Sequence, residues 1–232
     1  MTYLKEIFNI LNKSYGPQGW WPLSKGNLET KHHNGSPEDE KDRFEIIIGA
    51  ILTQNTAWNN VEKAIYNLNK ENLIEPKKMA AEIESKIGEL IRPAGYFNQK
   101  AKRLKFIAQY YLKNPEFLNK EKEVLRKELL AINGIGPETA DSIILYAAEK
   151  PSFVIDAYTR RIFLRIFEKD FGNYDSWKEF FEKNLEKDTK LFNEYHALIV
   201  EHAKRYCNKA PKCEKCMLRK SCSYYNSRSS KL

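Results

Sequence analysis

The sequence predicts an all-α protein. Apolar residues recur at helical spacing in ten segments, Pro, Gly and Asn punctuate the gaps between them, and no stretch alternates apolar with polar residues as a half-buried strand would. The first segment, 3–13, carries acid and amide residues inside its apolar pattern, so it is an amphipathic helix and not a leader peptide. Residues 22–40, PLSKGNLETKHHNGSPEDE, are polar and interrupted by Gly, Ser and Pro, the composition of an irregular arm. Helices are then expected over 41–54, 58–69, 77–91 and 97–112, with breaks from Asn69 to Pro76, from Pro93 to Gly95 and at Asn114-Pro115. Two more, 121–132 and 137–149, close around Asn133-Gly134-Ile135-Gly136. After Lys150-Pro151 come 157–168, 174–186 and 190–206, with Gly172-Asn173 as the break inside that group. There is no internal repeat.

With 232 residues, 42% of them hydrophobic and 12% aromatic, the chain can bury a substantial core. No apolar run reaches the ~18 residues a membrane span needs, so no membrane partner and a cytoplasmic location are expected. The net charge of +8 is unevenly placed: residues 202–232 hold nine basic side chains and one acid, and the rest is balanced. Such an excess suits a surface facing phosphates. It also suits a solvated tail.

The turn in LLAINGIGPETADSIILYA, residues 129–147, is the most informative stretch. Gly134 tolerates the positive φ that ends a helix, and Pro137 suits the first turn of the next, where a missing N–H costs nothing. Between them the amides of Gly134 to Gly136 are bare of side chains and can meet a phosphate oxygen directly or through a bound monovalent cation. Gly-x-Gly alone also describes an ordinary helical corner.

The wider pattern resembles a known one. LLAINGIGPETAD is similar to the helix–hairpin–helix element, with Leu129, Gly134, Ile135, Gly136, Thr139 and Ala140 in place, and FVIDAYTRR puts Asp156 twenty residues beyond Gly136. Together they resemble the helix–hairpin–helix DNA glycosylase superfamily, in which this aspartate is the catalytic carboxylate. The resemblance implies a two-lobed fold. A six-helix barrel would span residues 41–150, with the hairpin at about 125–149, and residues 1–40 plus 151–232 would form a second helical lobe. It implies a monomer whose partner is double-stranded DNA containing damaged bases, cytoplasmic or, in a prokaryote, nucleoid-associated.

All four cysteines, Cys207, Cys213, Cys216 and Cys222, lie in CNKAPKCEKCMLRKSC. Four thiols this close suggest one metal site, and in a reducing compartment disulfides are the weaker explanation. Spacing leaves zinc and a 4Fe–4S cluster open. YHALIVEHAKRYC leading into the array resembles the cluster motif of the endonuclease III branch, with one residue fewer between the first two cysteines. That implies a 4Fe–4S cluster, zinc being the alternative, which would fold a loop carrying Lys209, Lys212 and Lys215 against the DNA backbone.

Bifunctional members of that branch carry a lysine in the hairpin that forms a Schiff base. The matching position here is Glu138, and a carboxylate cannot form an imine. The resemblance therefore implies hydrolysis by Asp156 and a monofunctional enzyme, although an acid at a helix N-terminus is also favoured by the helix dipole. YGPQGWWPL, with Trp20 and Trp21, and Phe44 in RFEIIIGAILTQNTAW resemble the 3-methyladenine DNA glycosylase III branch, where aromatic residues sandwich the flipped base. An aromatic sandwich attracts a cationic N-methylated purine, and Lys204 is expected to approach the same pocket. Tryptophan is also common core material. Gln54 or Asn55 would plug the gap left in the base stack, unless the two merely cap the next helix. His196 and His202 are expected to make structural hydrogen bonds. The rivals are a monofunctional enzyme for mismatched uracil, thymine or adenine, a bifunctional glycosylase/lyase, and a DNA-binding scaffold without catalysis.

Overall fold

The computed structural model describes residues 3–32 and 36–229; residues 33–35 of the arm and Lys231 of the basic tail lie outside them. The described residues form α-helices α1 (Tyr3–Tyr15), α2 (Glu40–Leu52), α3 (Trp58–Lys70), α4 (Pro76–Ala81), α5 (Glu84–Leu90), α6 (Phe97–Lys113), α7 (Lys122–Ala131), α8 (Pro137–Ser142), α9 (Ala157–Phe167), α10 (Tyr174–Asn184), α11 (Thr189–Arg205) and α12 (Ser223–Ser229). Among them the only extended pairing is a single bridge between Leu23 and Lys31, so the protein is all-α. No helix of the described residues is long and apolar enough to cross a membrane.

The chain divides into two units, residues 21–150 and residues 1–20 with 151–232. Residues 21–40, expected with the terminal lobe, thus belong with 41–150. Specific anchors explain this. Ser24 donates its amide to Glu45 Oε1 at 2.8 Å, and Lys25 Nζ lies 2.7 Å from Asp42 Oδ2. Trp21 lies flush on α2 because Gly49 has no Cβ, which would stand 2.8 Å from the indole.

In the 21–150 unit, α2 is the central element, every residue from Phe44 to Leu52 being buried. Such a helix must be covered on all sides, and its sequence FEIIIGAIL is apolar almost throughout. Two expected helices differ from the sequence reading. The segment 77–91 breaks into α4 and α5 because Glu82 turns extended and accepts the Ile83 amide with its own carboxylate at 2.9 Å. The Glu82 carbonyl freed by the break is taken by Lys105 Nζ at 2.6 Å. The segment 137–149 ends in a π turn at Ile143–Ala147, where the Ala148 amide reaches back five residues to Ile143.

The other unit is built from α1, α9, α10, α11 and α12 around an aromatic core. Phe153 stacks on Phe181 at 4.3 Å and meets Phe192 and Tyr195 edge-on. The buried Tyr195 hydroxyl donates to Leu4 O at 2.7 Å, tying α11 to α1. The unexpected helix is α12, which lacks an apolar stripe; Tyr224 instead lies between Arg165 and Arg228, its ring centroid 5.2 and 3.6 Å from their guanidinium carbons.

Candidate active site

Asp156 is the N-cap of α9. Its extended backbone turns the side chain back onto the helix start, and Oδ1 accepts the Thr159 amide at 2.6 Å. Oδ2 lies 3.5 Å from His196 Nε2, at the outer limit of a hydrogen bond but well within electrostatic reach. Burial alone would push this carboxyl up; the imidazole and the Thr159 amide outweigh it and hold it below its ordinary 3.8. The result is an ionised carboxylate that is only 9% exposed. Sequence reasoning treated His196 as structural, because nothing local ties it to a residue on another helix.

The hairpin between α7 and α8 divides its two glycines by role. Gly134 has φ +87°, and a Cβ there would stand 2.0 Å from Arg103 Nε, so both conformation and space demand glycine. Gly136 sits at φ −88° with nothing within 4 Å of the missing Cβ, so the fold itself makes no such demand. Gly136 and Glu138 are both exposed, Glu138 in the first turn of α8. Thr139 is buried, its hydroxyl accepting from Gln54 Nε2 at 2.9 Å.

Gln54 and Asn55 are now separable. Gln54 Nε2 also donates to Gly134 O at 2.9 Å, and Gln54 Oε1 accepts from Arg103 Nη1 at 2.7 Å, so this side chain is bolted to the hairpin. Asn55 is exposed and left-handed, at φ +54°. Neither caps α3, whose N-cap is Ala57 with no side-chain cap. Tyr96 is a second exposed left-handed residue, 66% accessible at φ +47°, and the sequence reading missed it. It also missed Lys100, whose ammonium is buried and donates to Leu52 O, Gln54 O and Ala94 O at 2.8–2.9 Å. The available signal was its register, since Lys100 lies on the stripe of α6 that continues through Leu104, Ile107 and Tyr111.

The aromatic candidates do not share one environment. Phe44 is wholly buried on α2, edge-on to Tyr111 at 5.6 Å. Trp21 is 6% exposed and meets Trp58 at 5.4 Å and Tyr146 at 5.2 Å, two rings the sequence did not single out. Trp20 is half-buried and belongs to the other unit. Lys204 is exposed in the last turn of α11.

Cys207, Cys213, Cys216 and Cys222 are free thiols, each partly exposed. Burial pushes the Cys216 thiol up to about 11, with its three neighbouring cysteines adding to the rise, so ionising the set together requires a cation. Among the described residues no three His, Cys, Asp or Glu side chains stand as a metal-ligating group, so the donor set fits by chemistry and proximity, not by closed geometry. Arg165 holds the loop, its Nη1 donating to Cys207 Sγ at 3.2 Å and to Asn208 O at 2.7 Å. Lys209, Lys212 and Lys215 are exposed on it.

A family model for HhH-GPD superfamily base excision DNA repair proteins matches residues 48–187, more than half the chain. A protein of Methanocaldococcus jannaschii named as a DNA repair glycosylase is 48% identical over 226 residues, spanning 94% of each chain. The solved H. pylori 3-methyladenine DNA glycosylase, bound to 1,N6-ethenoadenine, is 30% identical with TM-score 0.71 over 87% of this chain and 97% of that one. A non-covalent endonuclease III–DNA complex superposes with TM-score 0.77 over 99% of this chain and 100% of that one; at 18% identity this is a likeness of fold. The glycine hairpin and Asp156 both lie inside the matched span, and the chain belongs to the HhH-GPD superfamily as a DNA glycosylase of base excision repair.

Proposed function

We propose that this glycosylase is monofunctional and hydrolyses the N-glycosidic bond of alkylated purines such as 3-methyladenine, leaving an abasic site. The observation that carries the reading is the buried, ionised Asp156. Breaking the bond develops positive charge on the sugar, and a carboxylate beside C1′ stabilises it and orients the attacking water. Glu138 supports the absence of lyase chemistry, since the hairpin offers a carboxylate where an imine-forming amine would stand.

The substrate class rests on the tryptophans and on the similarity to the H. pylori 3-methyladenine DNA glycosylase, whose structure holds 1,N6-ethenoadenine. An N-methylated purine is cationic, so stacked rings attract it and it leaves without acid assistance. DNA would dock by its backbone on the hairpin amides, with Asn55 entering the space vacated by the extruded nucleotide. Cys207, Cys213, Cys216 and Cys222 would hold a 4Fe–4S cluster, whose contribution is to fold the loop that carries Lys209, Lys212 and Lys215. The protein is proposed to act as a monomer.

The test is incubation with purine-methylated DNA, scoring released bases by chromatography and strand breaks with and without alkali. Released 3-methyladenine with breaks only after alkali is expected. Breaks without alkali would overturn the monofunctional assignment. Release of uracil or thymine from mismatches, with none from methylated DNA, would overturn the substrate.

A further inference from the structure

A lysine ammonium that is only 1% exposed needs a reason. Lys100 has three N–H groups, and they meet three main-chain carbonyls: Leu52 O at 2.9 Å, Gln54 O at 2.8 Å and Ala94 O at 2.9 Å. Among the described residues none of its bonds is to a carboxylate, so it is no ordinary ion pair. Burial pushes the ammonium down to about 8, with Arg103 adding to the effect, so it remains charged at neutral pH. A buried charge is tolerated only where such dipoles surround it.

The three carbonyls have a common address. Leu52 and Gln54 close the end of α2, directly before Asn55, and Ala94 ends a short 3-10 turn, directly before Gly95 and Tyr96. Asn55 and Tyr96 are two of the exposed residues at positive φ, +54° and +47°, a conformation that asparagine tolerates and that strains tyrosine. The tyrosine conformer persists because the surrounding structure imposes it. One buried side chain thus fastens the roots of two exposed tips, one carrying an amide and the other a flat ring.

We propose that Lys100 is a positioning residue that holds Asn55 and Tyr96 as one preformed pair for entry into the base stack. The proposal rests on the reading of the chain as a base-extruding glycosylase. An amide can hydrogen-bond base edges and a phenol ring can stack between bases, so the pair suits a stack that has lost a nucleotide. Fixing both tips beforehand spares the ordering cost at the moment of insertion.

The test is a mutant cycle of Lys100→Met against the Asn55→Ala, Tyr96→Ala double variant. Its readouts are single-turnover base release and the fluorescence of 2-aminopurine placed beside a stable abasic analogue. In the wild-type background Lys100→Met is expected to slow release about 10- to 100-fold and to abolish the fluorescence rise. In the background lacking both tips it is expected to cost nothing further, because it acts through them. An equal cost in both backgrounds, or none in the wild type, would overturn the proposal while leaving the glycosylase reading intact. Wild-type protein that releases no base from methylated DNA and gives no fluorescence rise would instead sink the underlying reading. If Lys100→Met does not melt as a folded protein, Lys100→Arg, which keeps the charge but cannot converge on three carbonyls, runs the same cycle with a smaller first cost.

Discussion

Asp156 and His196 meet 3.5 Å apart with side chains only 11% and 14% exposed, and the carboxyl of the pair titrates below its ordinary value. Asp156 is at the same time the N-cap of α9, so one side chain serves both charge and fold.

These two roles separate by substitution. Asp156→Asn keeps a capping side chain and removes the charge, so base release should fall about 10²- to 10⁴-fold while stability loses only what the charge contributes. Asp156→Ala should lose as much activity and a further ~1 kcal/mol of stability. An Asp156→Asn variant with wild-type release would refute the assignment of this carboxylate.

The lowered carboxyl also fixes the sign of a pH effect. A group depressed in the folded state contributes stability that is present above its ordinary 3.8 and lost as pH falls through its folded value. The stability gap between wild type and Asp156→Asn should therefore narrow as pH falls below that point. Thermal unfolding followed across acid pH checks this, and a gap that widens in acid contradicts it.

The glycines of the hairpin should respond in opposite ways. Gly134→Ala meets both a positive φ and Arg103, so it should destabilise by more than ~1 kcal/mol. Gly136→Ala should leave stability unchanged or slightly raised, within ~1 kcal/mol, yet weaken DNA binding by placing a methyl on the exposed hairpin turn. Melting curves beside binding isotherms separate the two. Unchanged DNA affinity in Gly136→Ala would remove that turn from the interface.

The cysteine loop predicts a colour and a salt slope. Purified protein should be brown with broad visible absorption, and bleaching the cluster with a chelator and oxidant should loosen the 207–222 loop to proteolysis. Colourless protein carrying one zinc would replace the cluster by a zinc site. Replacing Lys212 and Lys215 together by Ala should reduce the slope of log affinity against log salt by about 1.8, the share of two phosphate contacts. An unchanged slope would take both lysines off the DNA.

Much of this molecule was legible in its order of residues. Helical periodicity placed eight of the ten expected helices and the positions of the other two, because burying one face of a helix is a local, repeating demand that the sequence must meet every third or fourth residue. The Gly134 turn, the spaced Asp156 and the four clustered cysteines were equally local. What escaped were contacts between distant segments. The break at Glu82 follows from a carboxylate turning onto its neighbour's amide and from Lys105 across the interface, neither of which alters periodicity. The burial of Phe44 likewise depends on what packs against α2.

The sequence by itself determined the helical class, the hairpin chemistry and the absence of an amine at Glu138, since each depends on residue type at short spacing. Only the tertiary structure decided that His196 stands at Asp156, that Gln54 is bolted to Gly134 while Asn55 is exposed, and that Lys100 is buried beneath two loop ends. Those outcomes depend on which side chains meet across helices. A lysine looks the same in sequence whether its ammonium ends in water or against three carbonyls.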